Sequence, residues 1–576
     1  MAVNNDPVAF PATPQAAKAS YHHPCQWDAP LDPATLPAFF AEGARLHPDR
    51  TLVEFLGAQH SYSALFDEAC RFAAGLIARG VAKGDRVGLF LPNVPMYISA
   101  YYGAMMADAV VVNFSPLYTV AELTHQVEDS GTKLLVTLDA ASLLPTALEV
   151  LDTSALDTLI VGRLADMLPW YKGAALRTLG RSQIEGIPDR TDVQLWDDAL
   201  TSRNYATELG DDWSDPLRLD PDDLALLQYT GGTTGTPKGA MLTHANLSSN
   251  AQQVDAIDPF DPHEDDIVLG ALPLFHVFAN TCVLNRTVLR GGTIIMLPRF
   301  VPKQVLAAIR RTKPTAFPGV PTMYQALLDH PDCAKTDFSA MKICISGGAP
   351  MPGPLRDKFE ARAGVRLVEG YGLTESSGVV SVNPYRGLRK PGTIGQLLPQ
   401  TRVILLDKED PTKIVGVDEP GELAVAGPQI MKGYWNRPDA AKNSFAEHLG
   451  ETWLRTGDVA TVDTDGFIAI VDRLKDMIAV GGFKVFPSQV EHVIQDHPAV
   501  KEVLVIGAPD DYRGECVHAY VVLNEDFDTD ESALCSWANE RLGKHERLDK
   551  LVIREELPKT MIGKLDRKAL RAEVQG

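Results

Sequence analysis

The sequence predicts an α/β protein: a large N-terminal domain of stacked, mostly parallel sheets with helices, plus a small α+β C-terminal domain. Three observations carry that expectation. Short β-branched runs alternate with amphipathic helical patterns from about residue 30 to about residue 470. The 576 residues exceed one ordinary domain. The last hundred or so residues change texture, gathering two helical patterns and several strand runs into a compact unit.

The elements follow in chain order. Residues 1–30 are rich in Pro and Ala and are expected to wrap the surface. ALFDEACRFAAGLIARG (Ala64–Gly80) reads as a helix. RVGLFLP (Arg86–Pro92), VVVNFSP (Val110–Pro116), KLLVTL (Lys133–Leu138) and TLIVG (Thr158–Gly162) read as buried strands. DLALLQ (Asp223–Gln228) and MKICISGGAP (Met341–Pro350) read as strands that end at glycine-rich loops. After VDRLKD (Val471–Asp476), PSQVEHVIQDHP is expected to start a helix with a capping box of Ser488 and Glu491. VKEVLVIG and VHAYVVL then read as strands and TDESALCSWANERLG as a second helix. The expected division falls at 474–476, between a large domain of 1–473 and a small one of 477–576.

Composition removes some function classes. With 45% hydrophobic and 22% charged residues, the chain has ample core for a globular protein. A formal charge of −21 disfavours nucleic acid, whose phosphates need a basic surface. Seven cysteines without a CxxC pair fit reduced thiols in the cytoplasm. MAVNNDPVAFPATPQ has neither the basic nor the apolar region of a secretory signal. The most apolar stretch, Val87 to Phe114, is interrupted by Pro92, Asn93, Pro95 and Asp108, so no membrane-spanning helix is expected. Peripheral contact with the inner membrane face and a homodimer both stay open.

The chemistry concentrates in a few motifs. YTGGTTGTPKG (Tyr229–Gly239) combines glycines, which let backbone amides approach phosphates, with threonine hydroxyls and one cation, Lys238. Alone it is equally an ordinary turn. It is not a Walker P-loop, which needs Gly before Lys and Ser or Thr after it, because Pro237 and Gly239 flank Lys238. VEGYGLTESSG (Val368–Gly378) sets Tyr371, Thr374 and Glu375 in one turn. Their ring, hydroxyl and carboxylate suit a base, a phosphate and Mg²⁺, although a surface turn reads the same way. Asp458 in RTGD suits a ribose diol and Arg473 a phosphate or ribose oxygen, against the plainer readings of a turn residue and a surface ion pair. Lys564 follows Gly563 in LPKTMIGKLDRKAL, where most lysines are simply solvated.

In order along the chain, YTGGTTGTPKG, PLFHVF, GVPTMY, SGGAPMP, EGYGLTES, GELAVAGP, RTGD, DRLKDMI and PKTMIGK resemble the AMP-forming acyl-CoA synthetase (adenylate-forming ligase) superfamily. LQYTGGTTG with YGLTESSGVVSVNPY is most similar to bacterial long-chain fatty-acid–CoA ligases. The resemblance implies ATP, Mg²⁺ and coenzyme A acting on a small-molecule carboxylic acid to give acyl-CoA, AMP and diphosphate through an acyl-adenylate. It implies that Thr230, Gly231, Gly232, Thr233, Thr234, Gly235 and Lys238 cradle the β- and γ-phosphates. It further implies Gly347, Gly348 and Ala349 along the adenine, with Tyr371 and Gly372 beside it. Thr374 meets the α-phosphate in this scheme, Glu375 holds Mg²⁺, and Asp458 and Arg473 serve the ribose. His276 gates the carboxylate pocket, and Lys564 bridges the carboxylate and α-phosphate oxygens. The resemblance also implies that the small domain is a mobile lid turning about a hinge at 474–476, with Lys475 the hinge residue and Gly481, Gly482 and Lys484 in the CoA tunnel.

Rival readings within the fold are a CoA ligase for an aryl or dicarboxylic acid, or acyl transfer to a carrier-protein thiol. A non-catalytic acyl-nucleotide or membrane-docking protein is disfavoured because Lys238, Glu375 and Lys564 are all present. Two positions depart from the family pattern: Asp108 in GAMMADAVVV and Lys484 in GGFKVFP. The stretch Arg541 to Arg571 carries ten Lys/Arg against five Asp/Glu, a solvated face or a seat for anions. If Gly482 lines the thiol path, Gly482→Leu spares pyrophosphate release and blocks thioester formation; undiminished CoA turnover would remove that role.

Overall fold

Two sheets of mainly parallel strands build the body. The first has seven strands in the spatial order Val193–Leu195, Thr158–Gly162, Leu134–Leu138, Arg86–Leu89, Val110–Asn113, Leu224–Thr230 and Lys238–Thr243. Only the last pair, Leu224–Thr230 with Lys238–Thr243, is antiparallel. The nine-stranded second sheet is parallel through its middle, where Ile343–Ser346 lies between Ala316–Gly319 and Leu367–Tyr371. The inner strands are continuous apolar runs because helices cover both faces. The computed structural model describes residues 10–11, 20–200, 219–230, 237–260, 265–416, 419–481, 483–510, 512–524, 527, 529–560 and 564–575.

Helix Pro95–Met106 is buried at every position, so it lacks the polar stripe of a surface helix. Its tyrosine hydroxyls are nevertheless satisfied. Tyr97 donates to Asn113, Tyr101 to Asn280 and Tyr102 to Asn285, each at about 3 Å. Asp108, just beyond this helix, has φ +59°, a left-handed conformation that Asp tolerates better than most residues. Its carboxylate sits 3.5 Å from the Lys83 ammonium, which also pairs with Asp223.

The expectation of mostly parallel sheets fails for residues 402–473. There Arg402–Leu406, Gly421–Ala426, Phe445–His448, Glu451–Val462 and Ile468–Arg473 form a wholly antiparallel sheet. The links from His448 to Glu451 and from Val462 to Ile468 are too short for the crossover that parallel strands require. Around Tyr21 and Trp27 the N-terminal segment straps the body: the Tyr21 hydroxyl donates to Leu397 O and the Trp27 indole to Thr401 O.

A fourth sheet begins at Ile478–Val480 and contains Phe483–Val485, Val500–Asp510, Gly514–Leu523 and Leu548–Ile553. It has its own core, with Val490, Ile494, Val505, Val517, Ala519 and Leu534 packed together. The expected capping box is absent. Phe486 is the N-cap of helix Pro487–Gln495, because Pro487 at the first position fixes where the helix starts. Ser488 therefore sits inside the first turn, and both its N–H (2.8 Å) and its hydroxyl (3.1 Å) donate to Asp472. Glu491 instead accepts from Val505 N and from Arg567.

Arg567 ties this unit together, donating to Glu491 at 2.5 Å, Asp476 at 3.1 Å and Val505 O at 2.9 Å. Both members of the Arg567–Glu491 pair are largely buried. Truncating one partner strands the other charge, which costs about 3–5 kcal/mol. Arg567→Ala is therefore expected to speed amide hydrogen exchange across Val500–Asp510 while leaving the Arg86–Leu89 strand protected. Unchanged protection in both would show that the pair contributes nothing.

Candidate active site

The C-terminal ends of several strands converge on one cleft of about 2620 Å³ between the body and the small unit. Such ends are where open α/β sheets bind ligands, because the loops leaving them diverge. Strand Ile343–Ser346 runs into Gly347, Gly348 and Ala349, all on the cleft wall. Gly348 has φ +78°, and a Cβ there would lie 2.3 Å from Lys564 Cε and 2.6 Å from its Nζ. A side chain at Gly348 would thus occupy the path of the lysine. At Gly372 a Cβ would lie 2.0 Å from Gly378 O, so the loop folds tightly on itself. That fold holds Thr374 and Glu375 in a single turn, Thr374–Ser376, facing the cleft.

Two side-chain chains organise the polar wall. Asp458, 3% exposed, faces Arg473 across an antiparallel strand pair, with Arg473 Nε 3.1 Å from its carboxylate. The Tyr371 hydroxyl donates to the other Asp458 oxygen at 2.5 Å. The second chain joins Lys238, Tyr434 and Glu375. The Lys238 ammonium stands 5.0 Å from the centre of the Tyr434 ring, whose hydroxyl donates to Glu375 at 2.6 Å. Thr230 lies opposite Lys238 in its strand pair and reaches the cleft.

Lys564 and His276 complete the wall. Burial, and then the Arg473 guanidinium, push the Lys564 ammonium down to about 8 from an ordinary 10.5, with Asp458 opposing. His276 caps the short helix Val277–Ala279, its Nδ1 accepting from Phe278 N at 3.3 Å. Burial and the nearby Lys564 push its ring down to about 3, so it is neutral at pH 7. Lys475 also lines the cleft, and burial together with Arg473 lowers its pKa.

Of the residues singled out in sequence, Gly347, Gly348, Ala349, Tyr371, Gly372, Thr374, Glu375, Asp458, Arg473, Lys475, Lys564, His276 and Thr230 share this cleft. Lys238 is linked to it through Tyr434. Gly481 and Lys484 are not on its walls: Gly481 bonds to Arg513 O, and Lys484 pairs with Glu409 at 3.1 Å. Gly231, Gly232, Thr233, Thr234, Gly235 and Gly482 lie outside the described residues. Sequence reasoning missed Tyr434, whose only signal is an aromatic in MKGYWNRP. It also missed Glu369, a cleft carboxyl that burial pushes up to about 7 despite Arg356 and Arg389.

A resident metal cage is absent among the described residues, where no group of three or more His, Cys, Asp or Glu gathers. Mg²⁺ does not need one. It binds through one or two carboxylates with phosphate oxygens and waters, and the second Glu375 oxygen suits that part.

Fold and cleft together define an α/β enzyme of the adenylate-forming kind, with Lys564 on the cleft wall. The chain belongs to the AMP-binding enzyme family, whose model matches residues 40–435, and the model of its C-terminal domain matches residues 489–564. It is 38% identical to a long-chain-fatty-acid–CoA ligase of Bacillus subtilis, covering 96% of this chain and 97% of that relative. It is 36% identical to a feruloyl-CoA synthase of Amycolatopsis over 92% of this chain and 96% of that one. ATP-bound MatB from Rhodopseudomonas palustris superposes with a TM-score of 0.77 at 29% identity, covering 94% and 99% of the two chains. The apo form of MatB scores 0.69. AMP-binding enzymes of this type use ATP and CoA to convert a carboxylic acid to its thioester.

The Lys564 ammonium is expected to dominate below pH 8 and its neutral amine above. Competitive acetylation of the free protein, read by mass spectrometry, should therefore give Lys564 a midpoint near 8, with exposed lysines near 10.5. A Lys564 midpoint matching the exposed lysines would show that it is solvated.

Proposed function

We propose that this protein is an ATP-dependent fatty-acid–CoA ligase for medium or long chains, working in two half-reactions at one cleft. The observation that carries the proposal is Lys564. The small unit delivers it over Gly348, into the electrostatic field of Asp458 and Arg473 and close to neutral His276.

In the first half-reaction a carboxylate oxygen attacks the α-phosphorus of ATP, the bond to the β-phosphate oxygen breaks, and pyrophosphate leaves the acyl-adenylate. Two anions must meet, and their repulsion at about 4 Å grows from ~1 kcal/mol in water to ~4 kcal/mol in a protein-like medium. Lys564 would offset it by bridging carboxylate and phosphate oxygens, with Thr374 donating to the same phosphate. Tyr371 and the Gly347–Ala349 strip would flank the adenine, Asp458 would accept from the ribose hydroxyls, and Lys238 with the loop before it would hold the outer phosphates. Mg²⁺ held by Glu375 would neutralise phosphate charge. Neutral His276 adds no charge where the carboxylate must arrive.

The second half-reaction brings the CoA sulfur to the carbonyl that Lys564 occupies. The small unit would therefore turn about residues 474–476, with Lys475 the pivot, carrying Gly481 and Lys484 toward the cleft. Higher likeness to the ATP-bound than to the apo form of one solved relative supports an adenylation-ready arrangement here. A fatty acid is favoured by the apolar side chains of Val277, Phe278, Ala279 and Val320 on the cleft wall. It is also favoured by the 38% identity to a long-chain ligase. The 36% identical feruloyl-CoA synthase makes an aryl acid the second reading.

Pyrophosphate release should be measured with fatty acids of increasing length, cinnamic acids and dicarboxylic acids, with and without CoA. Carboxylate-dependent release, AMP as product and a preference for longer fatty acids are expected; a preference for cinnamic acids would move the assignment to aryl acids. Lys564→Ala should slow adenylation by roughly 10²-fold or more, the usual cost of one preorganised electrostatic contact. Thioester formation from supplied acyl-adenylate should fall far less. Equal losses in both half-reactions would remove the proposed role of Lys564.

A further inference from the structure

Behind the cleft wall, one carboxylate stands where helix electrostatics disfavour it. Asp129 occupies the last turn of helix Val120–Ser130, a turn that carries no basic residue. The carbonyl end of a helix repels a carboxylate. The Asp129 side chain is only 8% exposed, so water offsets little of that cost. Two groups remote in sequence hold it instead. The Tyr229 hydroxyl donates to one oxygen at 2.8 Å, and Arg437 donates to the other at 2.7 Å. Burial, and then Asp129, hold the Tyr229 hydroxyl well above its ordinary range, so it stays a donor.

Both partners lead to groups that would meet ATP. Tyr229 directly precedes Thr230 and pairs across its strand with Gly239, the neighbour of Lys238. The Tyr229 ring crosses that glycine, where a Cβ would lie 3.3 Å from it. Arg437 ends a segment, residues 431–437, that runs along strand Lys238–Thr243. There Met241 N donates to Gly433 O at 2.9 Å and Trp435 N to Gly239 O at 2.8 Å. Within the segment Tyr434 faces Lys238 and donates to Glu375, and Met431 N donates to Glu375 O at 2.9 Å. Arg86 adds a second tie at the same helix end. It donates to Ser130 O and Gly131 O and stands 5.7 Å from the centre of the Trp435 ring. Asp129 thus joins the strand pair carrying Thr230 and Lys238 to the segment that holds Glu375.

We propose that Asp129 is a positioning residue for the phosphate chain of ATP, setting the spacing between Lys238 and Glu375 from behind the cleft wall through Tyr229 and Arg437. The inference rests on the proposed function, in which Lys238 takes the outer phosphates and Glu375 holds Mg²⁺. Electrostatic attraction falls with distance, and groups fixed beforehand stabilise charge better than groups that must reorganise. Releasing Asp129 therefore loosens the grip on the β- and γ-phosphates. AMP has neither phosphate and does not sense that spacing.

The test is calorimetric titration of the full chain with Mg²⁺–ATP and, separately, with AMP, without carboxylic acid or CoA. Asp129→Ala should weaken Mg²⁺–ATP binding roughly five- to tenfold, in the range for a residue that acts on a site it does not touch. AMP should bind as tightly as it does to the parent. Tyr229→Phe, which keeps the ring over Gly239, should weaken Mg²⁺–ATP roughly threefold and decides the matter alone if Asp129→Ala does not fold. Combined with Asp129→Ala it should cost nothing further, because the hydroxyl acts only through that carboxylate. Variants that bind Mg²⁺–ATP like the parent would overturn the proposal. So would equal losses for ATP and AMP, the mark of a merely structural tie, or a full additional loss in the double variant. A parent that does not bind Mg²⁺–ATP at all would remove the reading of the cleft together with this inference.

Discussion

Lys564 is an ammonium held where ammonium ions are disfavoured. It is withdrawn from water beside another cation, Arg473, and only Asp458 counters the cost. That poise is useful because the proposed reaction adds negative charge at this place. A cation already desolvated and aimed stabilises developing charge more strongly than one that must first shed its water. The rest of the site serves this placement. Gly348 leaves a channel for the side chain, and Asp458 is fixed from two sides by Tyr371 and Arg473.

The same constraint explains how the small unit is attached. Asp472, at the end of the last strand of the antiparallel sheet, receives the first turn of helix Pro487–Gln495 through Ser488. Arg567, three residues after Lys564, reaches back to Asp476 and Glu491. The lysine is therefore carried by a unit whose internal contacts are strong. Besides the Ser488–Asp472 bonds, the contacts that cross from that unit to the body include exposed ion pairs such as Lys484–Glu409 and Lys501–Asp329. Exposed pairs contribute little, typically under about 1 kcal/mol. A unit firm within itself and joined to the body partly through such pairs suits the turn proposed about residues 474–476.

Much of the body was legible before any coordinates. Val110–Asn113, Leu134–Leu138 and Thr158–Gly162 are strands where continuous β-branched runs predict them. The ordered motifs pointed to residues that now share one cleft although Thr230 and Lys564 are more than three hundred positions apart. Local patterns misled in two places. Ser488 and Glu491 have the spacing of a capping box, but the helix starts at Pro487, two residues earlier than that box requires, and distant groups claim both side chains. Residues 402–473 have ordinary strand composition, and strand direction depends on which neighbours pair, which composition does not encode.

What the sequence by itself determined is the inventory: the α/β class, the order of the motifs and the kinds of side chain available for phosphate, base and metal. These follow from residue type and short-range spacing, which act through local sterics and burial. The tertiary structure alone decided the pairings. It joins Lys238 to Glu375 through Tyr434, gives Asp108 its Lys83 partner and lowers the Lys564 pKa by burial. Each of these depends on distance and solvent access between segments remote in sequence, and neither quantity exists until the chain has folded.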